Sequence, residues 1–353
     1  MLTAQEIINS ALAGFPADLI ANSTLALTTS AILLAFVYIW ATLWRNEQMK
    51  GSVKLELTEL IVSAIMLSFI VAIVGTLNNI TIGTVVPSNF IPAGTAPTKN
   101  VYDITSDYFI KVKEDILGWV QITYIYNMPI DLMSSANPHT RPLGVGFVST
   151  PLAGTAGPLK QLLRTSMITL VVAYIVNYAQ YFTYLFALDA FLKYYLPLGV
   201  FLRCFTPTRK VGGSIIAISA VLLIAFPLLI TLDYVVLYSD DGPLASFNNF
   251  LTLANITNDL TNTVETIKSM IFGDLTIWTL IFSPVFMIYK FIQNFFGSLF
   301  FTVVAFASGI IARAFLIGVM IPLFNTFIFV QTARGLSKSL GEEVDLSSFM
   351  RLI

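Results

Sequence analysis

The chain has 353 residues, of which 56% are hydrophobic and only 11% are charged. Soluble domains carry roughly 25% charged residues, so this composition excludes an ordinary soluble protein and favours one embedded in a membrane. The formal net charge of −1 excludes bulk attraction to nucleic acid or to anionic lipid, so any such contact must come from a local patch.

Reactive side chains are scarce, with one histidine, His139, and one cysteine, Cys204. Bis-histidine haem ligation, an HExxH zinc site and Ser-His or Cys-His catalysis all need more imidazoles or a different setting. His139 lies in the Pro-flanked loop NPHTRP, where a solvated histidine is favoured over a metal ligand. We therefore predict no enzyme, no cofactor and no metal site. Without a GxxxxGK[ST] loop, a transport role would need an ion gradient or a partner ATPase.

The first two apolar spans lie at about 23–44 and 60–77. A helix of about 20 apolar residues crosses the hydrocarbon core of a bilayer. Basic residues follow the first span at Arg45, Lys50 and Lys54. Since basic residues accumulate in cytoplasmic loops, the N-terminus is predicted outside and the 45–59 loop inside.

A polar, Pro- and Gly-rich region at 78–160 should follow as an extracytoplasmic loop region. Within it, Phe109, Val112, Ile116 and Val120 recur at helical spacing. This pattern predicts an amphipathic helix that ends near Trp119 and lies along the outer membrane surface.

The stretch 137–158 contains four prolines and four glycines in an apolar setting, a composition that predicts irregular backbone. A re-entrant loop that lines a pore is one interpretation, because irregular backbone at membrane depth needs protein or a water-filled cavity around it. A surface loop is favoured, since long irregular loops are commoner outside the bilayer.

The apolar run at 165–202 is interrupted only by Asp189 and Lys193, an i,i+4 pair that can neutralise itself. The next loop carries three basic residues and should be cytoplasmic: Arg203, Arg209 and Lys210. The run must then cross once, as one long, tilted or kinked helix, and the span at 212–237 returns outside.

The remainder of the chain contains a second extracytoplasmic loop at 238–275, with an amphipathic helix at 244–273, and an inward span at 277–292. The run at 298–330 is over-long and broken by Arg313 and Pro322, so a single crossing and a doubling back both stay open. Basic residues near the end favour a cytoplasmic tail at 335–353: Arg334, Lys338 and Arg351. This tail requires two short crossings in that run.

The predicted fold is therefore all-α, a polytopic transmembrane helical bundle of seven crossings, or six as the alternative, with extracytoplasmic amphipathic helices. The whole chain, 1–353, forms a single transmembrane domain. Three sequons fall outside in this topology and are candidate glycosylation sites: Asn22, Asn79 and Asn255.

Arg313 is a candidate pore or packing residue, because a charge in the hydrocarbon region costs about 3 kcal/mol. Small residues surround it at helical spacing: Ala305, Ser308, Gly309 and Ala312. These would let another helix approach closely. The alternative is that Arg313 marks a membrane boundary.

A second candidate is a stripe of polar and small residues on the long helix: Asn177, Gln180, Thr183, Tyr184 and Ala187. Hydrogen bonding between helices is the favoured interpretation, and pore lining, together with Asp189, is the alternative. The basic residues Arg203, Arg209 and Lys210 could contact nucleic-acid phosphates at a channel mouth, although a topology signal alone is favoured.

Two segments carry a family resemblance: YYLPLGVFLRCFTPTRKVGGSIIAI at 194–218 and IPLFNTFIFVQTARGLSKSLGEEVDLSSFMRLI at 321–353. They are similar to the polytopic membrane protein of the crenarchaeal DNA-exchange (Ced) import system, which resembles the polytopic inner-membrane subunit of conjugative type IV secretion machines. The matching parts are Leu-Pro-Leu-Gly at 196–199, the basic turn with Thr-Arg-Lys-Val-Gly-Gly, and the Gly-Glu-Glu-Val-Asp-Leu tail.

The resemblance implies a subunit that forms a homo-oligomer in the membrane and forms or lines a passage for DNA into the cell. Its implied partners are membrane lipid, a pilin-like small membrane protein, a cytoplasmic ring ATPase and the translocated DNA. It implies no catalytic residues. Two other functions remain open from the residues themselves, a secondary transporter for a small solute and a cofactor-free accessory subunit of a larger membrane complex.

Overall fold

The computed structural model describes residues 17–92, 94–135, 139–140, 147–148, 151–240, 242–244 and 300–340. In these residues the chain is all-α, as predicted, apart from one antiparallel pair of two-residue strands, β1 (His139–Thr140) and β2 (Phe147–Val148).

The described residues include ten α-helices and three π-helical segments. The helices of the first half are α1 (Ala17–Leu43), α2 (Glu47–Asn79), α3 (Ile82–Val85), α4 (Val101–Ser135) and α5 (Pro151–Phe186). Segment π1 (Ala187–Tyr195) continues α5 into α6 (Leu196–Arg203), and π2 (Val221–Ala225) joins α7 (Arg209–Ala220) to α8 (Phe226–Tyr238). Segment π3 (Leu316–Met320) joins α9 (Phe300–Phe315) to α10 (Ile321–Ser339).

Five helices of the described chain are long and apolar enough to cross a membrane: Ile20–Leu43, Glu47–Asn79, Gly157–Arg203, Arg209–Tyr238 and Val303–Ser339. Large apolar side chains remain exposed on them, as at Leu25, Ile32 and Phe36, which are 67%, 69% and 66% exposed. Water disfavours apolar surface of this extent, whereas lipid does not. The protein is therefore embedded in a membrane.

A short turn joins α1 to α2. The Asn46 amide donates to the Ala41 carbonyl at 3.0 Å and the Arg45 amide to the Thr42 carbonyl at 3.2 Å, with Arg45 at a φ of 52°. These are the two bonds of a Schellman C-cap. The Asn46 side chain also accepts from the Met49 amide and so caps α2. The cytoplasmic loop predicted at 45–59 is therefore wrong in length, because α2 begins at Glu47.

Two other boundaries differ from the prediction. Helix α4 extends to Ser135, well beyond Trp119, and its apolar residues Phe109 and Val112 are 3% and 0% exposed, so this face packs in protein and not in lipid. Helix α5 begins at Pro151 and includes Pro158, so the second half of 137–158 is helical.

From residue 300 the run at 298–330 continues as α9, π3 and α10 without a turn. Of the two alternatives for this run, the structure agrees with a single crossing and not with two short ones. The predicted span at 277–292 and all but the first residue of the predicted helix at 244–273 lie outside the described residues.

The chain divides into two compact units. The first comprises Met1–Ile110, Tyr178–Val236 and Ile321–Ile353, and the second comprises Lys111–Asn177 and Leu237–Met320. Four helical segments contribute residues to both units, because the division falls within α4, α5, α8 and the α9–π3–α10 segment.

In the first unit, α6 packs against α7 through two glycines. A Cβ on Gly212 would lie 2.4 Å from the Arg203 nitrogen and 2.6 Å from the Gly199 carbonyl oxygen, so only a glycine permits this approach. Helices α1 and α2 pack on α6, while α10 packs on α7 and π2. Val221 and Ala333 form the centre of that last contact.

In the second unit, a similar close approach joins α5 to π3. A Cβ on Gly318 would lie 2.7 Å from the Ala173 Cα. The rings of Tyr126 and Phe306 pack with their centroids 4.8 Å apart. Small residues at such contacts let helices approach closely in a membrane, where burial of apolar surface gives no net driving force.

Candidate functional site

Each of the three described π segments ends two residues before a proline, with π1 before Pro197, π2 before Pro227 and π3 before Pro322. Proline lacks a backbone N–H, and its ring collides with the carbonyl four residues earlier in a regular α-helix. A π turn widens the helix at that point. The residue before the proline then bonds five residues back, as the Phe226 amide does to the Val221 carbonyl.

A carbonyl beside each proline receives a side-chain hydrogen bond from another helix. Asn22 Nδ2 donates to the Lys193 carbonyl at 3.1 Å, the Tyr102 hydroxyl to the Leu223 carbonyl at 3.0 Å, and Asn177 Nδ2 to the Ile317 carbonyl at 3.3 Å. In a regular α-helix the Lys193 and Leu223 carbonyls would each accept from the amide four residues later, and in a π-helix the Ile317 carbonyl would accept from the amide five residues later. In all three cases that later residue is a proline, which has no N–H. We call these three bonds the carbonyl caps.

The cap on Leu223 belongs to a buried hydrogen-bond network in the first unit. Tyr102 and Tyr184 are both 0% exposed, and the Tyr184 hydroxyl donates to the Tyr102 carbonyl at 2.9 Å. The Thr105 hydroxyl donates to the Pro227 carbonyl at 3.1 Å. Burial raises the pKa of Tyr102 above its usual range, so its hydroxyl stays a neutral donor. This network ties the beginning of α4 to α5 and α8.

A second polar feature of the first unit joins the two proline-broken helices α8 and α10. Asn325 Nδ2 donates to Asp233 Oδ2 at 2.7 Å, and the two residues are 1% and 9% exposed. Among the described residues, the Asn325 Oδ1 atom and the hydroxyl of the buried Tyr108 have no hydrogen-bond partner. A carboxyl group buried in a membrane helix is retained for pairing or for movement of an ion.

The residues of the predicted polar stripe belong to both units. Asn177 makes a carbonyl cap in the second unit, and Tyr184 belongs to the network in the first. Thr183 is exposed, and the buried Gln180 Oε1 has no partner among the described residues. At Asn177 and Tyr184 the structure shows the hydrogen bonding between helices that the sequence favours.

The charged residues Asp189, Lys193 and Arg313 have partners within their own units. Lys193 Nζ lies 2.7 Å from Asp189 Oδ1, so this i,i+4 pair forms as predicted. The Arg313 guanidinium donates to the Gly309 carbonyl at 3.2 Å and to the Pro243 carbonyl at 3.1 Å, within the second unit. Backbone carbonyls thus stabilise the Arg313 charge.

The three basic residues predicted as a nucleic-acid or topology cluster have different environments. Arg203 is 5% exposed and donates to the Leu340 carbonyl at 3.3 Å. Arg209 is partly exposed and lies 3.5 Å from Glu59. Lys210 is exposed. Of the three side chains, that of Lys210 is the most open to contact with an anionic polymer.

The sequons also differ in availability. The Asn22 amide nitrogen donates to the Lys193 carbonyl at 3.1 Å, and Asn22 is partly exposed. Asn79 is exposed at the end of α2. Asn255 lies outside the described residues.

The sequence prediction missed both Tyr102 and Asn325. Prolines inside apolar runs at 227 and 322 were a usable signal, because each must leave a carbonyl in need of a donor. The sequence contained no signal for which donor would approach. No family model, curated protein or solved structure matches this chain.

Proposed function

We propose that this protein is a channel or scaffold subunit of a DNA-import apparatus in the cell membrane. In this proposal it assembles as a homo-oligomer with a pilin-like small membrane protein and a cytoplasmic ring ATPase. Its N-terminus lies outside and its C-terminus in the cytoplasm.

The observation that supports the proposal is the packing of the two segments that resemble the DNA-exchange family. Residues 194–218 and 321–353 are more than 100 positions apart in the sequence. In the first unit, Val221, three residues beyond the end of the first segment, packs with Ala333 of the second, and Ile218 and Leu336 of the two segments pack against this pair. The Arg203–Leu340 hydrogen bond joins them again. The proposal treats these two separated segments as one structural element.

The exposed Lys210 and the scarcity of reactive side chains also agree with a passage or assembly role. Lys210 follows the close-packed α6–α7 turn, so a contact with DNA phosphate there would be held on a rigid support. Arg203 and Arg209 would contribute through folding, because both are already bonded within the unit.

The first test measures transfer of marker DNA between cells after deletion of the gene, followed by complementation. Wild type should restore transfer and Gly212→Ala should not, because the added Cβ collides with backbone atoms of α6. Gly335→Ala is the matched control, since a Cβ there meets nothing within 4 Å. Normal transfer with Gly212→Ala at normal membrane levels would contradict the proposed importance of this packing unit.

Loss of transfer in Gly212→Ala could result from loss of the folded protein, so a surface variant is used as a test that does not disturb the packing. Lys210→Glu should reduce DNA transfer while leaving membrane insertion unchanged, and Lys54→Glu, an equally exposed charge reversal on α2, should not. Equal transfer by both variants would remove Lys210 from the DNA path. Co-purification of a ring ATPase or a pilin-like protein in mild detergent tests the partners.

A secondary transporter is the second candidate, and the Asp233–Asn325 pair is the observation that favours it. An ion-coupled carrier needs an ionisable group within the bundle, and Asp233 is buried there. If the protein is an ion-coupled carrier, Asp233→Asn should abolish uptake of the coupled solute. If it is a DNA-import subunit, Asp233→Asn should leave DNA transfer intact. Loss of DNA transfer in a folded Asp233→Asn protein would instead place this carboxyl group in the translocation mechanism.

A further inference from the structure

A cavity of about 390 Å³ lies between α4 and α5 in the second unit. Its lining contains two basic residues one helical turn apart on α5, Lys160 and Arg164. The remaining lining residues are Thr123, Tyr124, Asn127, Leu163 and Met167. The volume lies within the range of small-molecule sites, roughly 300 to 1,000 Å³.

The two basic residues are not equivalent. Lys160 Nζ lies 2.6 Å from Asp131 Oδ1, and Asn127 Nδ2 donates to Asp131 Oδ2 at 2.9 Å, so Asp131 neutralises Lys160. Among the described residues, no hydrogen bond or ion pair engages the exposed Arg164. The cavity therefore retains about one positive charge, located on a guanidinium that can bind phosphate oxygens in a bidentate manner.

The face of α5 that continues from Arg164 toward the C-terminal end of the helix is apolar and exposed. Ile168, Val171 and Ile175 follow Arg164 by 4, 7 and 11 residues, which places all four on one face of the helix. The three apolar side chains are 58%, 52% and 60% exposed. Eleven residues of helix span about 16 Å, close to half of the roughly 30 Å hydrocarbon core. A cation is thus followed by an apolar strip about one leaflet long.

We propose that an anionic membrane lipid binds at this cavity, with its phosphate beside the charged groups of Arg164 and Lys160 and an acyl chain along the apolar lining and along Ile168, Val171 and Ile175. A soluble phosphate would use the cation alone and would gain nothing from the apolar strip. Basic pockets beside membrane helices bind anionic head groups for this reason. The proposal does not depend on DNA import, and its test involves no transfer assay.

The test uses the purified full-length protein in detergent. Native mass spectrometry would compare binding of phosphatidylglycerol with that of phosphatidylcholine, and inorganic phosphate would be added as a competitor. Wild type should bind phosphatidylglycerol in preference. Arg164→Gln should weaken that binding about tenfold, as expected for loss of one charged hydrogen bond. Lys54→Gln is the matched control, because it removes an exposed charge elsewhere and should leave binding unchanged.

Asp131→Asn gives a prediction of opposite sign. It removes the negative charge that neutralises Lys160, so phosphatidylglycerol should bind more tightly than to wild type. A purely structural disturbance of the cavity would weaken binding in both cavity variants. Circular dichroism would confirm that each variant is folded.

Three results would overturn the proposal. Equal losses in Arg164→Gln and Lys54→Gln would show only non-specific attraction to charge. Weaker binding in folded Asp131→Asn would contradict the assigned charge balance. Complete displacement of the lipid by millimolar inorganic phosphate would make the site one for a free anion.

Discussion

Two proline breaks in the first unit meet the same chemical need in different surroundings. At Pro227 the Leu223 carbonyl is capped by Tyr102, whose side chain is 0% exposed. At Pro197 the Lys193 carbonyl is capped by Asn22, which is partly exposed, and the half-exposed Asp189–Lys193 ion pair lies beside it. From this comparison we expect a carbonyl cap to contribute more to the free energy of unfolding where its surroundings exclude other hydrogen-bond donors.

Tyr102→Phe should have the largest effect. It leaves the Leu223 carbonyl buried without a donor, which costs about 1 to 3 kcal/mol. Thermal unfolding in detergent, followed by circular dichroism, measures the loss.

Pro227→Ala sharpens this first prediction, because alanine restores a backbone N–H that can bond to the Leu223 carbonyl. In that background Tyr102→Phe should cost much less, and the double-mutant cycle should show coupling of about 1 kcal/mol or more. An equal cost of Tyr102→Phe in both backgrounds would mean that the tyrosine acts through packing and not through the cap.

Asn177→Leu should have an intermediate effect of about 1 kcal/mol. Asn177 is buried, but its bond to the Ile317 carbonyl is longer, at 3.3 Å, and leucine keeps most of the packing volume. Thr183→Ala on the same helix is the control, since Thr183 is exposed and bonds only to its own helix. A loss in Asn177→Leu as small as in the control would exclude a role for this cap in stability.

Asn22→Ala should cost less than about 0.5 to 1 kcal/mol, because the Lys193 carbonyl lies beside a polar, partly exposed ion pair where water can replace the side-chain donor. The same unfolding measurement applies. A cost equal to that of Tyr102→Phe would contradict the difference drawn between the two breaks.

Asp189→Asn should have the smallest effect, since exposed i,i+4 ion pairs contribute about 0.3 to 0.5 kcal/mol. The change in unfolding temperature should shrink further as salt is raised from 0.05 to about 0.5 M, because salt screens exposed charges. A large loss that does not respond to salt would show that Asp189 has a buried role.

Much of the architecture was predictable from the sequence. The apolar runs at 23–44, 165–202 and 212–237 lie within observed helices, since a chain in lipid must satisfy its backbone hydrogen bonds internally. Pro151 and Pro158 were misread, because proline is tolerated in the first turn of a helix and elsewhere where surrounding groups accommodate it. Two short crossings were favoured for the run at 298–330 because of the basic residues near the C-terminus, whereas π3 lets one helix pass Pro322.

The candidate sites were less predictable. Asn177 and Tyr184 were identified as polar residues in an apolar helix, but their acceptors lie 140 and 82 positions away in the sequence. Arg203 was grouped with Arg209 and Lys210 as basic residues of one loop. In the structure it is buried and donates to the Leu340 carbonyl just after α10. Sequence spacing shows which residues share a helix face and does not show what another helix places opposite that face.

The sequence by itself determined that this protein is helical and embedded in a membrane, because both properties follow from the length and composition of continuous segments in contact with lipid. Only the tertiary structure decided which carbonyl freed by a proline meets Tyr102, which meets Asn22, and which cation remains available at the cavity between α4 and α5. These outcomes depend on contacts between residues far apart in the chain, and a buried polar atom is stabilised only by a partner that the fold brings within hydrogen-bonding distance.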